Sequence, residues 1–149
     1  MPDPARRPGW LPKEEFDWIF SRVPRLCVEV VISAPQRGVL LSRRDIPPNV
    51  GAWHIPGGTV LFAEPLVEAV KRVARDELGL TVAVGALLGY IEYPSHYNNG
   101  LDSPVGLAFR ADPVETAPTL PDGCAWFERL PPGLYEEQRA FLTHRLGFR

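Results

Sequence analysis

Cysteine is nearly missing from this chain: two residues in 149, Cys27 and Cys124, each embedded in an apolar stretch. Two such residues cannot staple a small scaffold, and a pair without close spacing makes no zinc site. They read as small buried hydrophobes, which points to a reducing compartment. Lysine is equally scarce, so that positive charge is carried by arginine, and the formal net charge is only -2. No broad basic face is available for nucleic acid or an anionic membrane, and any phosphate contact must come from a few local arginines or a metal. No apolar run approaches the length of a membrane span, and the opening MPDPARRPGW lacks the apolar core of a signal peptide. The expectation is a cytoplasmic protein with neither nucleic acid nor membrane as partner.

What is present is ordinary globular material, 45% hydrophobic and 23% charged, enough in 149 residues for one domain with its own core. Residues 1–10 read as a flexible tail and 11–149 as a single domain. Proline is abundant at 17 residues, but pairs such as Pro47–Pro48 and Pro131–Pro132 fall between periodic segments and mark loops. LPKEEFDWIF, from Leu11 to about Phe20, has apolar residues at helical spacing. LCVEVVIS (Leu26–Ser33) and VLLSRR read as strands around the turn APQRG. Short strands are expected at Trp53–Ile55 and Thr59–Phe62, then longer ones at Val82–Tyr93, Val105–Ala111 and Cys124–Arg129. A closing helix is expected over roughly Leu134–Leu146. Strands, one central helix, more strands and a last helix describe an α/β (α+β) domain with a mixed sheet.

The central helix is the clearest element. It runs from Pro65, where no amide hydrogen is needed, to Leu78, with Gly79 placed for a left-handed cap. At ~100° per residue, Leu66, Val70 and Val73 form its apolar face, and Glu77 falls inside that face. A carboxylate there must be neutral, paired or bound to a cation, unless it bends out to water at the helix end. Glu64, just before the helix, is a second carboxylate at the same place, where it can also cap the positive helix N-terminus. Arg72 and Asp76 share one flank, and Arg75 points away.

These residues resemble the Nudix box, G-x5-E-x7-R-E-U-x-E-E-x-G-U with U aliphatic. Gly58, Glu64, Arg72, Ala74, Glu77, Gly79 and Leu80 match at the right spacing, and Asp76 is a conservative replacement. Val73 departs from it, because the family places a glutamate there that is central to metal-assisted catalysis. An aliphatic residue at that position, together with LPKEEFDWIFSRVP, Glu29, HYNN and RAFL, is similar to the subgroup of GDP-mannose mannosyl hydrolase. In those enzymes water attacks the sugar carbon and the nucleoside diphosphate leaves.

The resemblance implies a Nudix α/β/α sandwich acting on a small nucleotide, with a nucleotide sugar such as GDP-mannose as the expected substrate. It implies Mg²⁺, with Mn²⁺ as the alternative, held by Glu77 and the carbonyl of Gly57, with Asp76 as an additional ligand. Arg44 and Arg72 would address phosphate oxygens, or Arg72 would orient a carboxylate. Glu29 would contact substrate, and a homodimer is implied by the N-terminal segment.

Other readings of the same residues stay open. Glu29 lies with Cys27 and Val31 on one strand face, which is apolar otherwise and favours a cleft carboxylate over a solvated one. His96, in the polar loop YPSHYNNGLDSP, is either solvated or a base or hydroxyl contact, since its ordinary pKa lies near neutrality. Three features of the subgroup are missing: the arginine after the double glycine is Thr59, a tyrosine near Pro104 is replaced, and TLPDGCAW carries no histidine. Attack at phosphorus, or a domain that binds a nucleotide without cleaving it, are the alternatives.

Overall fold

A computed structural model describes residues 10–47 and 49–149. Most of the expected tail, residues 1–9, lies outside the described residues. The elements are α1 (Lys13–Phe20), β1 (Arg25–Val31), β2 (Ser33–Ala34), β3 (Gly38–Arg43), β4 (Trp53–His54), β5 (Gly57–Thr59), α2 (Leu66–Leu78), β6 (Val82–Glu92), α3 (Pro94–Tyr97), β7 (Pro104–Pro113), β8 (Cys124–Phe127) and α4 (Glu136–Leu146).

One sheet has the order β5-β1-β7-β6 and is mixed: β1 runs parallel to β7, and its other pairings are antiparallel. A second sheet joins β2, β3 and β4, with β8 also on β3. β1 is buried from Cys27 to Val31 because both faces of the sheet are covered. Its alternating side chains feed two cores. Val28 and Val30 join Val70, Val73, Leu78 and Phe109 under α2, while Val31 joins Leu41, Ile55, Phe141 and Leu142 under α4. Two helices on opposite faces of the strands make the expected sandwich.

The central helix ends as its sequence requires. Gly79 adopts φ +64°, its N–H reaches Arg75 O at 3.0 Å, and Leu80 N–H reaches Ala74 O at 3.1 Å. One expected strand is corrected. Thr59–Phe62 was the expectation, but the strand is Gly57–Thr59, and the chain then turns through Ala63 at φ +58°, leaving Phe62 87% exposed. The cause is Glu64, whose Oε1 accepts the Leu61 N–H at 3.1 Å and so curls the segment into a turn. His96 also sits on a short helix, α3, rather than in an open loop, and α4 begins two residues after Leu134.

Candidate active site

A cleft of about 900 Å³ opens along the β5 edge and under α1. Residues singled out from sequence enter it from different elements: Glu29 from β1, Arg44 after β3, Gly57 from β5, Glu77 from the last turn of α2, and His96 from α3. At Gly57 and Gly58 the wall is bare backbone. A Cβ at Gly58 would stand 3.2 Å from Val73 Cγ2, and one at Gly57 would stand 2.9 Å from Val28 O.

Glu77 is the carboxylate that the helix wheel placed among apolar residues. Its Oε2 receives one long hydrogen bond, from Gly57 N–H at 3.3 Å. Burial pushes its pKa up to about 7; the Gly57 N–H and the Arg44 cation pull it down, and Asp76 adds to the rise. Arg44 lines the same wall and donates to Pro47 O at 3.0 Å. Arg72 is 7% exposed and locked in place. Its Nε and Nη2 donate to Glu64 at 2.7 and 3.0 Å, and Nη2 also donates to Thr59 O at 2.8 Å. Of the two roles open to Arg72, this geometry is that of orienting a carboxylate. Asp76 sits outside the cleft lining, with its side chain 44% exposed and 4.0 Å from Arg72 Nη1. Val73, where the family pattern has a glutamate, is a core side chain with 2% exposure.

Beside His96 and Glu29 the cleft holds Arg25, Tyr93, Asp102 and Gln138, which sequence reasoning did not single out. Arg25 donates through Nε to Asp102 Oδ2 at 2.7 Å and through Nη1 to Thr59 Oγ1 at 2.8 Å. Asp102 Oδ1 lies 3.7 Å from His96 Nδ1, and these partners, His96 first and Arg25 after it, hold the Asp102 carboxyl down to about 2 against its burial. The His96 ring lies between Tyr93 and Tyr135, at centroid distances of 5.1 and 5.6 Å. Glu29 is 5% exposed, accepts a hydrogen bond from the Tyr93 hydroxyl, and is pushed up to about 7 by burial. Arg25, Tyr93 and Asp102 carry no local signal, since each looks like a strand-end or loop residue. Gln138 does carry one: it shares the face of α4 with Phe141 and Leu142, an amide misplaced among apolar residues as Glu77 is on α2.

No three His, Cys, Asp or Glu side chains converge into a cage among the described residues. The donor set does fit a single divalent cation of the Mg²⁺ kind, which takes one or two carboxylates, keeps waters and shares phosphate oxygens with a substrate. Glu77, half-buried and hydrogen-bonded among the described residues by one long N–H contact, is the carboxylate such an ion would complete.

The NUDIX domain model matches residues 23–141, and the chain belongs to that family. Over 95 residues it is 40% identical to the low-salt glycan biosynthesis protein Agl8 of Haloferax volcanii, covering 62% of this chain and 60% of that protein. It is 34% identical over 77 residues to an ADP-ribose pyrophosphatase of Methanocaldococcus jannaschii, covering 52% of this chain and 45% of that protein. The chain thus spans less than two thirds of the length of these curated relatives. A MutT NUDIX hydrolase from Burkholderia pseudomallei has the same fold, with a TM-score of 0.68, 29% identity, and coverage of 82% of this chain and 98% of that one.

Proposed function

We propose that the chain is a divalent-metal-dependent hydrolase that cleaves a nucleoside diphosphate from a hydroxyl-bearing group, a nucleotide sugar such as GDP-mannose being the substrate class. The observation that carries this reading is that one cleft gathers two chemically different sets. Glu77, Arg44 and bare backbone at Gly57 and Gly58 line it, and so do Arg25, Asp102, His96 and Glu29. The first set suits a diphosphate with its cation, the second a ring of hydroxyls that need both donors and acceptors. The relatives support it in kind: one is named for glycan biosynthesis, the other for ADP-ribose, a nucleoside diphosphate joined to a sugar.

In this reading Glu77 and the Gly57 carbonyl would hold Mg²⁺ or Mn²⁺, while Asp76, expected as an additional ligand, lies outside the cleft lining beside Arg72. When bound, the ion supplies charge neutralisation for the diphosphate. Arg44 supplies a cation at the same wall, and Arg72 keeps Glu64 and the β5–α2 turn in place behind it. Glu29 and His96 contact the hydroxyl-bearing group, and His96 is the candidate proton acceptor for water. With Val73 in the core, a second cation has fewer ligands, which favours loss of an intact nucleoside diphosphate by attack at carbon. Attack at phosphorus is the second reading, favoured by Asp76, Glu77 and Glu64 all being retained and by the pyrophosphatase relative.

A panel of nucleotide sugars, nucleoside triphosphates and dinucleotides, incubated with Mg²⁺ in ¹⁸O-labelled water, separates the readings. Label in the released sugar means attack at carbon, and label in a phosphate product means attack at phosphorus. Glu77→Gln should abolish metal-dependent turnover, on the order of 100-fold or more. Unchanged turnover in that variant, or none in the parent, would overturn the proposal. A homodimer is proposed as well, and α1, with no buried residue and Trp18 61% exposed, is the element to watch by sedimentation.

A further inference from the structure

Along the cleft runs a chain of hydrogen bonds that neither the family match nor the candidate metal ligands account for. It starts at the backbone N–H of Ile55, which donates to Gln138 Oε1 at 2.6 Å. Gln138 Nε2 donates to the Tyr93 hydroxyl oxygen at 2.9 Å, and Tyr93 donates to Glu29 Oε1. The direction of this chain is forced. A backbone N–H only donates, so Gln138 must turn its carbonyl oxygen to Ile55 and its NH₂ to Tyr93. An ionised Glu29 can only accept, so the Tyr93 hydroxyl, which already accepts from Gln138, commits its single proton to Oε1.

Oε2 is what remains. It is buried and has no hydrogen-bond partner among the described residues, although Glu29 lines the cleft. The carboxyl is held at Oε1 by the Tyr93 hydroxyl. It lies between two glycines on the strands either side of β1: a Cβ at Gly106 would stand 2.6 Å from Glu29 Cδ, and one at Gly57 would stand 3.3 Å from Cγ. A buried polar atom held in this way calls for a partner from outside the protein.

Resting on the proposed function, we infer that Tyr93 and Gln138 are positioning residues. They hold Glu29 so that Oε1 is committed to the protein and Oε2 meets one hydroxyl of the group linked to the diphosphate, directly or through one ordered water. Gln138, which lines the cleft and bonds the Tyr93 hydroxyl beside Glu29, thus sets specificity for the group beyond the diphosphate.

The test compares binding of matched pairs by calorimetry: GDP with GDP-mannose, UDP with UDP-glucose, and ADP with ADP-ribose, with Ca²⁺ in place of Mg²⁺. Gln138→Glu keeps the acceptor for Ile55 but cannot donate to Tyr93, whose proton turns away from Glu29. Tyr93→Phe removes the same link while keeping the ring's volume. Both should weaken the preferred sugar-linked nucleotide roughly ten- to hundredfold, with little change for its nucleoside diphosphate. Neither should add to the loss in a Glu29→Gln background, since all three act at one contact. Equal weakening of both members of a pair would make Gln138 merely structural and overturn the inference. So would a parent protein that prefers no sugar-linked nucleotide over its diphosphate. A parent that shows the preference but never turns over in Mg²⁺ removes the proposed hydrolysis and leaves this inference standing.

Discussion

Arg72 gives the sharpest test of the architecture around the cleft. Its guanidinium makes three charge-assisted or polar hydrogen bonds, two to Glu64 and one to Thr59 O, with the Arg72 and Glu64 side chains only 9% and 13% exposed. Arg72→Ala leaves the Glu64 carboxylate enclosed with its Leu61 N–H but without the guanidinium, and leaves Thr59 O without that donor. Breaking a buried pair from one side costs about 3–5 kcal/mol. For a domain of this size each kcal/mol is worth roughly 2–4 °C, so the melting temperature should fall by roughly 6–20 °C. Arg72→Lys should fall between, because an ammonium replaces the charge but not the planar fork. The double variant Arg72→Met, Glu64→Gln should recover much of the loss, because both charges of the pair are then gone. Thermal melts followed by circular dichroism measure all three. If Arg72→Ala melts within about 2 °C of the parent, the pair is not an enclosed brace, and Glu64 does not fix the β5–α2 turn in the way its hydrogen bonds imply.

Val73→Glu would restore the family carboxylate at the position that is 2% exposed and packed 3.2 Å from the space over Gly58. Burying a charge there should cost several kcal/mol in EDTA, and Mg²⁺ should recover part of it in a melt; a variant as stable as the parent without metal would contradict the packing. Gly106→Ala drives a Cβ to 2.6 Å from Glu29 Oε1, a carboxyl that Tyr93 and Gln138 do not release, so about 1–3 kcal/mol of stability should be lost in urea titrations. Asp102 is held down to about 2 from its ordinary 3.8, so the stability it contributes is present above pH 3.8 and is lost as pH falls toward 2. Asp102→Asn should flatten that part of the acid-unfolding curve, and an unaltered slope would mean the Arg25 and His96 contacts are not formed in solution.

Much of the fold was legible because its signals are local. Pro65, the 3.6-residue apolar spacing and Gly79 delimit α2 to within a residue. Strands β1, β3, β4, β6, β7 and β8 follow the apolar, β-branched and aromatic runs, and their ends shift by only a few positions. The strand expected at Thr59–Phe62 failed for a non-local reason. TVLF has strand composition, but the Leu61 N–H that a ladder would use is taken by Glu64, itself anchored by Arg72 eight residues on.

The candidate site divides in the same way. Glu77 was visible because a carboxylate on an apolar helix face is a contradiction within one element, and the box spacing around it marks the family. Read with the same wheel, α4 would have shown Gln138 among Phe141 and Leu142. Arg25, Tyr93 and Asp102 contradict nothing in their own segments. They matter because β1 lies parallel to β7, with Arg25 opposite Pro104, which brings a residue near the start of the first strand against the loop before the seventh. The sequence by itself therefore determined most of the elements, the family and the misplaced carboxylate Glu77, because each is encoded locally. Only the tertiary structure decided that Arg72 braces Glu64 and that Ile55, Gln138, Tyr93 and Glu29 form one directed chain. Those facts depend on contacts up to 83 residues apart, which no local periodicity can encode.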